Sequence, residues 1–292
     1  KADGLAAGKG VTICKTERQV LNIASDIFKG KFKSSKKIVL EEFLNGEEVS
    51  FFIIVDKNNF KFFGSAQDHK RVGEKDTGPN TGGMGAFSPA PIINDTIKKK
   101  IIEKIVKPTL NALKKSKKSY KGFLYIGLMI KNNEPFLIEF NVRMGDPECQ
   151  VIIPRLKTDL VKIIFNAVNN KLKNTSIKWG KEKCMTIVLC SKGYPGNYKI
   201  NKKINKIDNI DLKKNNFIYH SGTKIKDNQL FSNGGRVLSI SSTGNNFSII
   251  RKKIIKLIKK IKWKHGFFRR DIGWRVVKKI ANLSKIKLSE KE

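Results

Sequence analysis

The chain is poor in the residues that most often announce a protein's class. Its 292 residues include 4 cysteines, 8 prolines, 3 histidines and 3 tryptophans, and only 25 acidic side chains stand against 60 lysines and arginines. Cys14, Cys149, Cys184 and Cys190 form no CxxC pair and adjoin no histidine-rich tract, which argues against a zinc ribbon and a disulfide scaffold. A reducing, cytoplasmic setting fits. The longest apolar run, FLYIGLMI at 123–130, falls well short of the ~20 residues that cross a bilayer, so no membrane is expected. The chain opens on KADG without a methionine, a basic n-region or an apolar h-region, which reads as an N-terminal truncation and not as a targeting signal.

Lysine is what the chain has in excess, and the formal net charge is +35. Charge of that size is the electrostatic footprint of a nucleic-acid binder. Yet lysine greatly outnumbers arginine and is scattered with isoleucine and asparagine through every segment, whereas specific readers lean on arginine for bidentate contacts. Weak, salt-sensitive binding is expected, with no specific nucleic acid as partner. A basic nucleic-acid-binding protein remains the reading from a different class.

Apolar spacing predicts a helix over 17–28 and a strand over 37–44. EVSFFIIVD and NFKFFGSAQ flank DKNN as a hairpin, and FLYIGLMI and PFLIEFNVR flank KNNE as a second. Residues 72–91, rich in Gly, Pro, Asn and Asp, are too long for a simple connector and too irregular for a strand, as functional or disordered loops are. A helix with an internal Pro108 is expected over 95–115. Asp146 and Pro147 read as an N-cap and first-turn proline opening a helix that carries Val151 and Ile152. From about 181 the texture changes to short strands, CMTIVLC and GGRVLSISS, followed by a helix with Ile249, Ile250, Ile254, Leu257, Ile258 and Ile261 on one face.

Two stretches carry chemistry. In KADGLAAGKG the glycine spacing is one short of a P-loop and the magnesium-binding hydroxyl is replaced by Gly10, so what remains is a flexible loop whose N–H groups could close over phosphate. In LIEFNVRMGDPE, strand alternation places Glu139, Asn141 and Arg143 on one face. A carboxylate and an amide oxygen are hard ligands suited to Mg²⁺, which keeps waters and bridges substrate phosphates. Arg143 beside them can neutralise a phosphoryl group in transfer. LEEFLNGEEVS, at 40–50, could present backbone groups to an adenine and a carboxylate to ribose hydroxyls.

KADGLAAGKGV, EEFLNGEEVSF, QDHKRVGEKDTGPNTGGMGAFSPAP, GFLYIGLMI, EFNVRMGDPE and DIGWR, in this order, resemble the phosphoribosylamine-glycine ligase family of purine synthesis, over 1 to about 279. The resemblance implies an α+β chain with an ATP-grasp fold of two α+β subdomains, followed by a small mixed α/β C-terminal domain. The corresponding divisions are a truncated small, or lid, subdomain at 1–45, a large subdomain with the metal and substrate site at 46–180, and a C-terminal domain at 181–292. It implies ATP binding by Lys1, Ala7, Gly8, Lys9, Gly10, Glu41, Phe43, Leu44 and Glu48. Substrate contacts are implied at Asp68, Lys70, Arg71, Asn80, Thr81, Gly82, Gly83 and Met84, Mg²⁺ or Mn²⁺ at Glu139 and Asn141, and an acyl-phosphate bordered by Arg143 and Asp146. The implied substrates are ATP, glycine and 5-phosphoribosylamine, handled by a monomer. Another ATP-grasp carboxylate-amine ligase, or an inactive truncated remnant, stays open as an alternative.

Overall fold

The structure is a computed structural model and describes residues 1–4, 10–32, 37–208, 210, 212 and 215–283. Helix α1 (Glu17–Asp26) starts where Thr16 Oγ1 accepts the Gln19 N–H at 3.3 Å, and a wider turn carries the helix on to Lys31. The strand expected over 37–44 does not form. That stretch bridges only at Ile38, where Val39 N donates to Lys1 O at 2.8 Å and Asp3 N to Lys37 O at 3.1 Å.

Strands β1 (Glu47–Asp56) and β2 (Phe60–Asp68) form the first expected hairpin. Asp56 shapes its turn, because Oδ1 accepts the N–H groups of Asn58 and Asn59 at 3.1 and 2.7 Å while Oδ2 accepts that of Leu172 at 2.8 Å. The stretch 72–91, expected to be irregular, is more ordered than its composition suggests. It holds a small hairpin, β3 (Arg71–Gly73) and β4 (Thr77–Asn80), and then β5 (Gly85–Ser88), which enters the main sheet.

Helices α2 (Asp95–Ile101) and α3 (Lys107–Lys115) run on through one wide turn at 102–106, which falls just before Pro108, the residue with no N–H to give to the preceding turn. Strands β6 (Lys121–Lys131) and β7 (Glu134–Asn141) pair around Asn132 and Asn133, both left-handed at φ 52° and 59°, the two-residue turn that matches strand twist. Then come α4 (Cys149–Ile152) and α5 (Leu160–Val168), β8 (Lys183–Ser191), β9 (Asn216–His220) and the hairpin β10 (Thr223–Lys226) with β11 (Gln229–Ser232). Strand β12 (Arg236–Gly244), α6 (Phe247–Ile258), β13 (Gly266–Phe267) and α7 (Trp274–Leu283) complete the described chain.

The main sheet runs β7-β6-β1-β2-β5-β8-β12-β9, antiparallel along this path, with β13 joined to β8. Short β5 is the seam, paired on one side to Gln67 and Asp68 and on the other to residues 184–187. The hydrophobic core crosses it too, since Met84 and Phe87 pack with Met185, Ile187, Leu238 and Phe247. Helix α6 lays Phe247, Ile250, Arg251, Ile254, Leu257 and Ile258 against that core; Ile249, expected on the same face, is 68% exposed.

Strand alternation separates two further cores. Val49, Phe51, Ile53 and Val55 of β1 face Ile97, Ile101 and Ile105 on one side of the sheet, while Phe52 and Ile54 face Val151, Ile152 and Ile163 on the other. By the same alternation, Ser50 and Glu48 continue the Phe52 face toward the end of the sheet. There the core gives way to polar residues.

Candidate functional site

Register gathers the polar groups. Ser50 pairs with Gly127 and Ala66, Gly127 with Glu139, and Tyr125 with Asn141, so β7, β6, β1 and β2 present one continuous face. Gly127 lets the Glu139 side chain and the Tyr125 ring close over the middle of that face, for a Cβ there would sit 3.1 Å from the Glu139 Cγ and from the Tyr125 ring. Asn141 Nδ2 donates to Glu139 Oε1 at 3.1 Å. The two expected metal ligands therefore stand side by side as hard oxygen donors. Among the described residues no group of three or more His, Cys, Asp or Glu could hold a metal ion, and a site with one carboxylate and one amide suits a cation that completes its shell with water and phosphate.

Arg143 is not on this face. Strand β7 ends at Asn141, and the Arg143 NH1 donates to the adjacent Met144 carbonyl at 2.9 Å. Asp146 does not cap a helix either: Oδ1 accepts from the Gln150 side chain at 2.7 Å and Oδ2 from Arg236 at 3.0 Å, while α4 begins at Cys149 without a side-chain cap. Arg236 captures the carboxylate that the local sequence seemed to offer to the backbone.

At the β2 end the expected substrate residues form a charged cluster. Lys70 Nζ is hydrogen-bonded to Glu48 Oε1, and Ser50 Oγ donates to the buried Glu148 at 3.0 Å. Burial pushes the Asp68 carboxyl up to about 7 against the pull of Lys70, with the Glu148 and Glu48 charges adding to the rise. Burial alone would lower the Lys70 pKa, but Asp68 and Glu48 outweigh it and hold the ammonium above its ordinary range. Burial also raises Glu148 and the Tyr125 phenol. Glu48, which the resemblance places at the nucleotide, thus meets the substrate set.

The glycine-rich stretch packs behind this cluster. Thr81 holds the Lys70 carbonyl with both its N–H and its hydroxyl at 2.7 Å, and its Oγ1 accepts the Gly83 N–H at 2.9 Å. Arg71 NH1 donates to Gly78 O at 2.7 Å, and Asn80 pairs with Arg71 across the β3-β4 hairpin. Gly82 N donates to the Tyr194 hydroxyl at 2.9 Å. Met84 belongs to the hydrophobic core, with its N–H given to His69 O and its carbonyl taken by Val188 N. It has no group left for a substrate, which corrects its place in the expected set.

On the nucleotide side, Lys1 Nζ and Glu41 Oε1 lie 3.9 Å apart, and Gly10 O accepts the Ala2 N–H at 2.8 Å. Leu40 and Phe43 are exposed, and Leu44 is half-buried. Ala7, Gly8 and Lys9 lie outside the described residues. Buried Cys184 and Cys190 have thiols pushed up to about 12 by burial, which leaves them inert. No described helix is long and apolar enough to cross a membrane.

Ser50, Tyr125, Glu148 and Arg236 escaped the sequence reading. The first three share the strand parity or the GDPE turn of residues that were found. Arg236 arrives from a strand across the seam.

An antiparallel sheet with a polar, carboxylate-bearing face and a second lobe sewn to its edge is the ATP-grasp fold. The biotin carboxylase domain of Hydrogenobacter thermophilus 2-oxoglutarate carboxylase superposes with a TM-score of 0.67 at 12% identity, over 91% of this chain and 57% of that one, a likeness of fold alone. Residues 1–149 match the profile of the phosphoribosylglycinamide synthetase ATP-grasp (A) domain and residues 184–275 that of the C domain of the same family, so the chain belongs to the phosphoribosylglycinamide synthetase family. Phosphoribosylamine-glycine ligase from Agrobacterium fabrum is 44% identical over 95% of this chain, and that from Escherichia coli K12 is 41% identical over 97%. The chain spans 65% and 66% of the lengths of those two relatives. The Thermotoga maritima phosphoribosylamine-glycine ligase structure matches with a TM-score of 0.84 at 35% identity, over 93% of this chain and 68% of that one.

Proposed function

We propose that the protein to which this chain belongs ligates glycine to 5-phosphoribosylamine in a cytoplasmic setting, giving glycinamide ribonucleotide and converting ATP to ADP and phosphate. The reading is supported above all by one juxtaposition: the Glu139–Asn141 pair and the Glu48–Lys70–Asp68 cluster share one sheet face, with Gly127 paired to Glu139 on one side and to Ser50 on the other between them. Family membership supplies the substrates.

In the first step a glycine carboxylate oxygen attacks the γ-phosphorus and the bond to the ADP oxygen breaks, giving glycyl phosphate. In the second the amine nitrogen attacks the acyl carbon, the bond to phosphate breaks, and the nitrogen loses a proton. Such chemistry rests on positioning and charge neutralisation, which explains a site without a serine or cysteine nucleophile. Lys1, Gly10 and the loop at 7–9 would hold the nucleotide phosphates, and exposed Leu40 and Phe43 offer an apolar wall to its base. Lys70, the cation of that cluster, would meet the glycine carboxylate. Asp68, held near 7, is matched to receive the proton that the amine gives up. Glu139 and Asn141 would hold Mg²⁺ or Mn²⁺, which when bound neutralises the phosphates' charge.

The test is ADP release by the full-length protein with each substrate omitted in turn. Release that requires glycine and phosphoribosylamine together supports the reading. Release with another amino acid in place of glycine would move it to a different ATP-grasp ligase, and a base-selective RNA or DNA complex that survives moderate salt would move it to nucleic-acid binding.

A further inference from the structure

The motif DIGWR, at 271–275, has no role in the site as built so far, yet it anchors a charge network around the buried Arg269 and His69. Four donors meet on the Asp76 carboxylate. They are Arg269 NH1 at 2.8 Å, Arg275 NH2 at 2.9 Å, Trp274 Nε1 at 3.1 Å and the His69 ring at 3.3 Å. Arg269, 1% exposed, also forks onto both oxygens of Asp271 at 2.8 Å and reaches the Arg71 carbonyl at 2.9 Å. Asp271 Oδ2 accepts the Lys75 N–H at 2.7 Å, and Glu74 Oε1 that of Arg270 at 3.2 Å. The C-terminal segment thereby grips β3 and the 74–76 turn of the β3-β4 hairpin.

His69 connects this grip to the site. Gly273 N donates to His69 Nε2 at 2.8 Å, so the ring proton is on Nδ1 and is donated to Asp76. With Nε2 accepting from a backbone N–H, Nδ1 bonded to Asp76 and the ring buried, His69 is a strut with no free ring nitrogen. Its backbone is fixed as well, His69 N to Gly85 O at 2.9 Å and Met84 N to His69 O at 2.8 Å. Neighbours along extended chain point to opposite sides. Holding His69 toward the C-terminal lobe therefore turns Asp68 and Lys70 the other way, toward Glu48 and Glu148.

We propose that Asp76 and Trp274 form a latch whose function is to aim Asp68 and Lys70, which makes Asp76 and Trp274 positioning residues for the amino-acid and amine substrates and not for ATP. The proposal rests on the ligase reading above. Apart from Glu48, which bonds Lys70, the expected nucleotide residues belong to another part of the chain, where Lys1 and Glu41 approach each other at 3.9 Å, so loosening the latch should separate the substrates kinetically.

The experiment compares full-length wild type with Asp76→Asn and Trp274→Phe, by amide hydrogen exchange and by initial rates with each substrate varied. Both variants should speed exchange at the Thr81 and Met84 amides about tenfold and raise the KM for glycine and phosphoribosylamine by about tenfold, with the KM for ATP within about twofold of wild type. Should Asp76→Asn fail to fold, Trp274→Phe, which removes one donor and keeps an aromatic ring, carries the test. Exchange that quickens while all three KM values stay put means a merely structural network and overturns the proposal; so does a KM for ATP that rises with the others. A wild type without glycine-dependent turnover sinks the ligase reading, and the latch is then decided by exchange, where unchanged Thr81 and Met84 amides sink it.

Discussion

Arg236 and Asp146 lie 90 positions apart, and the arginine grips the aspartate twice, at its main-chain oxygen at 2.6 Å and its carboxylate at 3.0 Å. The same NH1 reaches Gly82 O at 2.7 Å. One guanidinium thus fixes the glycine-rich loop to the GDPE turn. Arg236→Met should cost about 1–3 kcal/mol in urea denaturation and lower glycine-dependent turnover at least tenfold, roughly what lost charge-assisted hydrogen bonds predict. Arg236→Lys, a point charge without the planar fork, should recover only part of either.

Glu139 is exposed and its only described polar partner is the Asn141 amide. Glu139→Gln keeps that contact's shape and removes the charge a cation requires. The melting temperature should stay within about 1 °C of wild type, since exposed positions contribute little to stability. Turnover should fall at least about a hundredfold and the magnesium concentration for half-maximal rate should rise. Unchanged magnesium dependence would remove Glu139 from the metal site.

Gly83 has φ +116°, and a Cβ there would meet the Pro147 Cδ at 2.5 Å. Gly83→Ala combines a strained backbone with a clash against the turn that carries Asp146. A loss of about 2–3 kcal/mol is expected. Because the strain falls on the loop, KM for glycine should rise well before the protein unfolds. A variant as stable and as active as wild type would show that the loop does not press on Pro147 in solution.

Asp68 sets a pH dependence of stability. Its carboxyl is raised from 3.8 to about 7 in the folded protein. Between about pH 4 and 7 the folded state keeps a proton that the unfolded state has given up, so this group's contribution falls as pH rises through that window. Asp68→Asn removes the slope. It should be more stable than wild type at pH 8 by on the order of 1–3 kcal/mol and equal to it near pH 4, while turnover drops. Urea midpoints at the two pH values check the sign, and parallel profiles would contradict it.

What could be read from the sequence follows the range of the interactions. The β1-β2 and β6-β7 hairpins were legible because alternation and an Asp- or Asn-rich turn lie within a few residues of each other. The adjacency of Glu139 and Asn141 was legible for the same reason, being strand parity on β7. Strand β5 was not. A Cβ on Gly85 would lie 2.6 Å from the Thr186 carbonyl, so close approach of a distant strand demands the glycine that made the stretch resemble a loop. Residues 37–44 mislead the other way, with strand composition but a single bridge, from Ile38 to Ala2. Asp146 looked like a cap until Arg236 claimed it, and Met84 looked like a ligand contact until the core across the seam claimed its side chain.

The four residues of β5 also determine how the gene can be cut. Gly85–Ser88 is paired to β2 on one side and to β8 on the other, so a fragment beginning near 181 would leave an unpaired β8 edge where β5 had been. Bare edges invite pairing with other chains. A chimaera that imports the C-terminal lobe from a relative has to import β5 and Met84 with it, and the graft junction then falls inside the N-terminal lobe.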